Sequence, residues 1–165
     1  MIEIYDDFFP EEIQKEILDK LMEPHWHLKG GNDQSLFWHY DDLEKQEYFN
    51  EFLYEKICTK LDKKFSKIGR IYANGQTACQ GGTPHQDLDG DVTFLYYPAP
   101  FWETSMEGHL VFLQDNDGWH GDGDRIITHK PNRAILFPGS MWHYAQAPSR
   151  YFVGLRISLA YKLWM

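Results

Sequence analysis

His85-Gln86-Asp87 and, 58 residues after His85, His143 are the residues of this chain best suited to holding a metal. Side chains of an extended segment repeat every two residues, so His85 and Asp87 point to one face. A histidine brought in from a distant strand completes a set of two imidazoles and one carboxylate. Such a set grips one side of a divalent iron and leaves its other positions open to small molecules. Asp89 and Asp91 are rival carboxylates, but both belong to Asp89-Gly90-Asp91, which reads as a turn. A second pattern begins 13 residues after His143, where Arg156-Ile157-Ser158 puts a guanidinium and a hydroxyl on one face of the last strand. That pair suits a buried dicarboxylate, because a guanidinium grips a carboxylate through two parallel hydrogen bonds.

These residues need a rigid frame, and the hydrophobic pattern supplies one. From residue 70 onward, short segments alternate with turns rich in Gly, Pro, Asn and Asp. Strands are predicted over 70–73, 83–87, 92–97, 109–114, 125–128, 134–137, 142–145 and 151–161. Eight short strands of this kind suggest a double-sheet jelly roll, a mainly β double-stranded β-helix. In the last strand Val153, Leu155, Ile157, Leu159 and Tyr161 share one face, and Phe152, Gly154, Arg156, Ser158 and Ala160 share the other. The second face cannot fill a dry core. A buried Arg needs an anion or polar partners, so this face is expected to line a ligand-filled barrel. Before residue 70 the periodicity is helical. Pro10-Glu11-Glu12 opens a helix whose stripe is Ile13, Ile17, Leu18, Leu21 and Met22. Phe49, Phe52, Leu53, Ile57, Leu61 and Phe65 mark a second helix over about 42–65, stopped by Gly69. The expected organisation is a single domain over 1–165, with 1–69 as helical support and 70–165 as the jelly-roll core.

Composition narrows the classes further. The chain has 165 residues, 42% of them hydrophobic and 16% aromatic, enough to bury a core. A net charge of −9 argues against a nucleic-acid partner, which usually meets a basic surface. No apolar run approaches the ~20 residues of a membrane span. The acidic start, Met1 to Asp7, lacks the basic and apolar regions of a signal peptide. With only Cys58 and Cys79, free thiols in a reducing compartment are expected, hence a cytoplasmic protein.

Residues 70–162 resemble the Fe(II)/2-oxoglutarate-dependent oxygenases, and within them the prolyl-4-hydroxylase-like branch. The stretches that carry the resemblance are Tyr72-Ala73-Asn74-Gly75 ahead of His85-Gln86-Asp87, Leu95-Tyr96-Tyr97 with Trp102, and Gly108 to Phe112. Ala134 to Gly139 ahead of His143, and Arg156-Ile157-Ser158, complete them. The resemblance implies His85, Asp87 and His143 as iron ligands and Arg156, with Ser158 beside it, as partner of the distal carboxylate of 2-oxoglutarate. Tyr72 and Tyr97 fall where this branch often places a tyrosine hydroxyl near that co-substrate. The implied activity is hydroxylation of a C–H bond with O2, coupled to conversion of 2-oxoglutarate to succinate and CO2, with ascorbate as a further expected reductant for the iron. A peptidyl proline or a small amino-acid-like molecule is the implied substrate. The chain departs from the branch at Gly108-His109, where many relatives have two glycines, and in the longer interval from His143 to Arg156. AlkB-type nucleic-acid demethylases carry a second Arg six residues beyond the first; Lys162 stands there.

Two readings from other classes stay open: a cupin-type metalloenzyme that does not use 2-oxoglutarate, and a non-catalytic jelly-roll binding module. Trp102, Trp119 and His120 lie in long connections able to reach over a barrel mouth. The acidic stretch 115–124 fails the EF-hand template, because Trp119 stands where an oxygen ligand is needed. His25, His27, His39 and His129 have no motif context and are expected at the surface or in packing.

Overall fold

The computed structural model describes residues 1–32, 35–113 and 125–165. After β1 (Glu3–Tyr5), helix α1 (Glu11–Leu21) starts at Pro10, with Glu11 and Glu12 next to the positive end of its dipole, and buries Ile17 and Leu21. The single helix predicted over 42–65 is three pieces: a 3-10 turn (Leu43–Lys45), a π-helical stretch (Tyr48–Leu53) and α2 (Tyr54–Leu61). Hydrogen bonds in a π-helix run one residue further than in an α-helix, and a three-to-four-residue apolar spacing does not report that change. The helix ends at Asp62, before Gly69. Asp62 takes the left-handed conformation (φ 51°), and the Lys63 N–H donates to the Cys58 carbonyl at 3.1 Å, a Schellman-type stop.

The first 69 residues hold more than helices. β2 (His27–Asn32) and β3 (Ser35–Tyr40) form a hairpin that joins the main sheet, as does β1. Gly30-Gly31 hid this hairpin, because glycines in mid-strand read as a break. Further on lie β4 (Lys67–Gln76), β5 (Val92–Tyr96), β6 (Leu110–Phe112), β7 (Arg125–Ile127), β8 (Ala134–Pro138), β9 (His143–Ala145) and β10 (Arg156–Trp164). The predicted strand over 83–87 is instead an extended segment with a single bridge, His85 opposite His143. Pro84 has no N–H to give a ladder there. The last strand begins at Arg156, not Tyr151, because Gly154 (φ 141°) turns the chain where only glycine is at ease.

The strands form an antiparallel jelly roll of two sheets, ordered β1-β8-β5-β10-β4-β3-β2 and β7-β6-β9. Strand β10 separates two interiors. Ile157, Leu159, Tyr161 and Leu163 pack with Ile17, Leu21, Phe49 and Ile57 on the helical side. Arg156, Ser158, Ala160 and Lys162 line the other interior, together with Leu110 of β6 in the second sheet and Phe137 of β8. Register then sets neighbours: Gln76, Asn74 and Tyr72 of β4 stand opposite Arg156, Ser158 and Ala160, and Thr93 of β5 stands opposite Lys162.

A candidate metal site joined to an anion pocket

The three predicted ligands come together. One donor atom from each of His85, Asp87 and His143 lies within 4.8 Å of the others. The two histidines are paired through their backbones, His85 N–H to His143 O at 3.0 Å and His143 N–H to His85 O at 2.9 Å. A bridge between residues 58 apart in sequence therefore brings both imidazoles to one spot. Asp87 is fixed through its own N–H, which donates to Gly139 O at 2.8 Å. A Cβ on Gly139 would come within 2.8 Å of the Asp87 and Gly90 carbonyl oxygens, so the glycine of Pro138-Gly139 is what permits the approach.

Each imidazole also has its tautomer set. His85 Nδ1 lies 2.8 Å from Thr83 O and His143 Nδ1 lies 2.8 Å from Met141 O. An Nδ1–H bound to a backbone carbonyl leaves the Nε2 lone pair free, as a metal ligand requires. Those Nε2 atoms sit 3.6 and 3.5 Å from the two oxygens of Asp87. Burial holds the His143 ring down to a pKa of about 4, against the pull of Asp87, so it is neutral at pH 7. For Asp87, burial pushes upward, but the charge of Lys162 and hydrogen bonds from Lys162 and Thr93 outweigh it and keep the carboxyl below its ordinary value. Two imidazoles and one carboxylate whose donor atoms gather within 4.8 Å fit a divalent metal. Asp89 is exposed at the rim and Asp91 accepts from the Met165 N–H, so neither joins the cluster.

Arg156 ends the same inward face. It is 1% exposed, and donates from Nε to Gly108 O at 2.8 Å, from NH1 to Gln76 Oε1 at 2.7 Å and from NH2 to the Tyr97 hydroxyl at 3.4 Å. All three acceptors are neutral. Among the described residues no carboxylate pairs with this guanidinium, so a buried positive charge stands uncompensated. Ser158, Arg156, His85 and His143 line one small pocket. Tyr72, Asn74, His85 and Lys162 line both that pocket and an adjoining cleft of about 410 Å3 that opens beside His85.

The remaining predicted residues divide. Tyr72 lies in the wall between pocket and cleft, with Arg70 stacked 4.4 Å above its ring. Tyr97 meets Arg156 through its hydroxyl. Trp102 does not reach over the cleft. Its ring lies tilted against those of His129 (4.0 Å between centroids) and Phe152 (4.8 Å). Trp119, His120 and the stretch 115–124 fall outside the described residues. Two further residues belong to the site: Thr93 donates to Asp87 Oδ2 at 2.6 Å and Gln76 accepts from Arg156. His39, expected at the surface or in packing, is buried beside Phe37 in the cleft wall, with neither ring nitrogen bonded among the described residues. Register against β10, and not residue type, is what places Thr93 and Gln76 there.

No family model and no curated protein matches the sequence. Solved structures do match its fold. A prolyl hydroxylase from Trichoplax adhaerens, in complex with a hypoxia inducible factor peptide, superposes with a TM-score of 0.72 at 14% identity, over 98% of this chain and 82% of that one. A prolyl-4-hydroxylase from Pseudomonas putida gives 0.66 at 14%, over 98% and 91%. HygX from Streptomyces hygroscopicus, with nickel and 2-oxoglutarate bound, gives 0.72 at 12%, over 98% and 82%. The likeness establishes a jelly roll of the kind these enzymes share. Among the described residues no helix is long and apolar enough to cross a membrane.

Proposed function

We propose that the chain is an Fe(II)- and 2-oxoglutarate-dependent dioxygenase, a single domain over 1–165 that hydroxylates a C–H bond of a peptide or small amino-acid-like substrate. One observation carries the reading: a cluster of two imidazoles and a carboxylate lies beside a pocket whose buried arginine has no counter-ion among the described residues. A metalloenzyme working without a dicarboxylate has no use for that arginine, and a binding module has no use for the cluster. His85 and His143, through Nε2, and Asp87 would hold the iron. Bound iron supplies the reduction of O2 that oxidises 2-oxoglutarate to succinate and CO2 and the substrate C–H to C–OH, with ascorbate to keep it reduced. Arg156 holds the distal carboxylate as a two-pronged, charge-assisted partner, Ser158 lies beside it, and the Tyr97 hydroxyl steadies the guanidinium. Leu95, Leu110 and Phe137 keep water from the pocket. Tyr72, in the shared wall, separates co-substrate from the cleft that admits the prime substrate. Free Cys58 and Cys79 support a reducing, cytoplasmic setting.

The test is succinate release with Fe(II), ascorbate and 2-oxoglutarate, screened over proline-containing peptides and free amino acids. Release that requires 2-oxoglutarate and disappears in His143→Ala is the expected result. Release unaffected by that substitution, or none with any substrate, contradicts the reading.

A further inference from the structure

Lys162 shares the inward face of β10 with Arg156 and is 4% exposed. Its ammonium meets Asp87 Oδ2 and donates to Thr93 Oγ1 at 3.0 Å, while Thr93 donates to the same Oδ2 at 2.6 Å. Both donors therefore converge on one carboxylate oxygen. The arrangement is built into the sheet, because Lys162 and Thr93 are direct cross-strand partners. The Tyr72 ring, its centroid 5.5 Å from Nζ, closes the lysine in.

The consequence is electrostatic. Lys162 cancels the charge of Asp87, the carboxylate that would attract a metal, and Arg156 adds a second buried cation to the same pocket. A divalent ion bound by His85, Asp87 and His143 would sit beside a fixed ammonium, at a separation where like charges in a protein interior repel strongly. A dianion entering the pocket relieves this repulsion. Lys162 lines the pocket as well as the cleft, so the ammonium can pass from Asp87 to the incoming carboxylate without leaving its place in the wall.

We propose that Lys162 makes metal binding contingent on the dicarboxylate: it holds Asp87 as an ion pair, and a divalent metal binds tightly only together with a dianion that takes over the ammonium. This inference rests on the proposed function and adds a positioning residue to it. The device keeps redox-active iron from settling in the site ahead of its co-substrate. Linkage makes the effect mutual, so each ligand raises the affinity of the other.

Calorimetric titration of Co(II), with and without saturating 2-oxoglutarate, tests it in the parent protein, Lys162→Gln, Lys162→Met, Lys162→Arg and His143→Ala. In the parent, 2-oxoglutarate should raise Co(II) affinity within the ~5- to 150-fold range usual for coupled sites. Chelation of the metal by 2-oxoglutarate also contributes to that rise, so the decisive quantity is Co(II) affinity alone. Lys162→Gln keeps a donor to Asp87 but removes the charge; it should bind Co(II) alone more tightly than the parent and lose most of the coupling. Lys162→Met should do the same if the Gln variant does not fold, and Lys162→Arg should behave as the parent. Neutral variants that bind Co(II) alone no better than the parent overturn the inference while leaving the function standing. A parent that binds no Co(II) even with saturating 2-oxoglutarate, or a His143→Ala protein that then binds it equally well, overturns both.

Discussion

Arg156 and Lys162 are buried cations on one face of one strand, six residues apart, yet they are built into opposite situations. Lys162 has a carboxylate, Asp87, and a hydroxyl, Thr93. Arg156 has a backbone carbonyl, a side-chain amide and a phenol, all neutral. Removing a charge from water costs several kcal/mol, and only an opposite charge or a full set of hydrogen bonds repays it. The lysine is repaid within the protein and so acts on its neighbour. The arginine is repaid only in hydrogen bonds, and its remaining electrostatic deficit is what an anionic ligand can supply.

The sharpest way to break the comparison is to remove the anion at the lysine end. Asp87→Ala should cost ~3–5 kcal/mol of unfolding free energy in urea, because it leaves Lys162 buried and unpaired. Adding Lys162→Met should restore most of that stability without restoring metal binding. A double variant as unstable as Asp87→Ala would mean the pair carries little charge energy.

Two glycines separate the ends. In Gly139→Ala the new Cβ meets backbone oxygens of Asp87 and Gly90 at 2.8 Å. In Gly108→Ala, at a φ of 71°, it meets Arg156 Cδ and Nε at 2.9 Å. Each crowding should cost ~1–3 kcal/mol, the first expressed in metal affinity and the second in 2-oxoglutarate affinity. Isothermal titration of both ligands checks the split, and identical defects in the two variants would contradict it.

Arg156→Met, in contrast to a lysine-end change, orphans no anion among the described residues. Ligand-free unfolding free energy should stay within ~1 kcal/mol of the parent or rise, since hydrophobic replacement of a buried charge is often neutral or better. A large loss would show that the guanidinium's neutral partners already satisfy it.

The smallest effect concerns a buried imidazole that has no hydrogen-bond partner among the described residues. Burial holds His39 down to a pKa of about 4, with the Lys29 charge adding to it. The unfolded chain, with His near 6.5, then takes up more protons between pH 6.5 and 4. Stability from this group is present above pH 6.5 and is lost as pH falls toward 4. The urea midpoint of His39→Phe should therefore fall less between pH 7 and 5 than that of the parent. An unchanged slope would remove His39 from the balance.

The grouping of the candidate site's residues was legible because it depends on residue type and alternation. His85, Asp87, His143, Arg156 and Ser158 follow from two-residue periodicity and from an Arg on a face too polar for a dry core. The helix spacing likewise located α1 and the buried stripe of α2. Less legible was whatever depends on pairing between distant segments. That Lys162 lies on the inward face is a matter of alternation, but that Thr93 stands opposite it is a matter of register, which a single sequence does not contain. The β2–β3 hairpin was obscured by its own glycines. The segment around His85 needed only one bridge, not a strand, to bring its ligands together.

The central claim is that one pocket holds a metal at one end and a dicarboxylate at Arg156. Anaerobic titration of 2-oxoglutarate into Fe(II)-saturated parent and Arg156→Ala proteins tests it most directly. Loss of a charge-assisted contact worth ~1.5–3 kcal/mol should weaken 2-oxoglutarate ~10- to 100-fold or more in the variant, with Fe(II) still bound through His85, Asp87 and His143. Equal 2-oxoglutarate affinity in the two proteins, or no binding to either, would contradict the account.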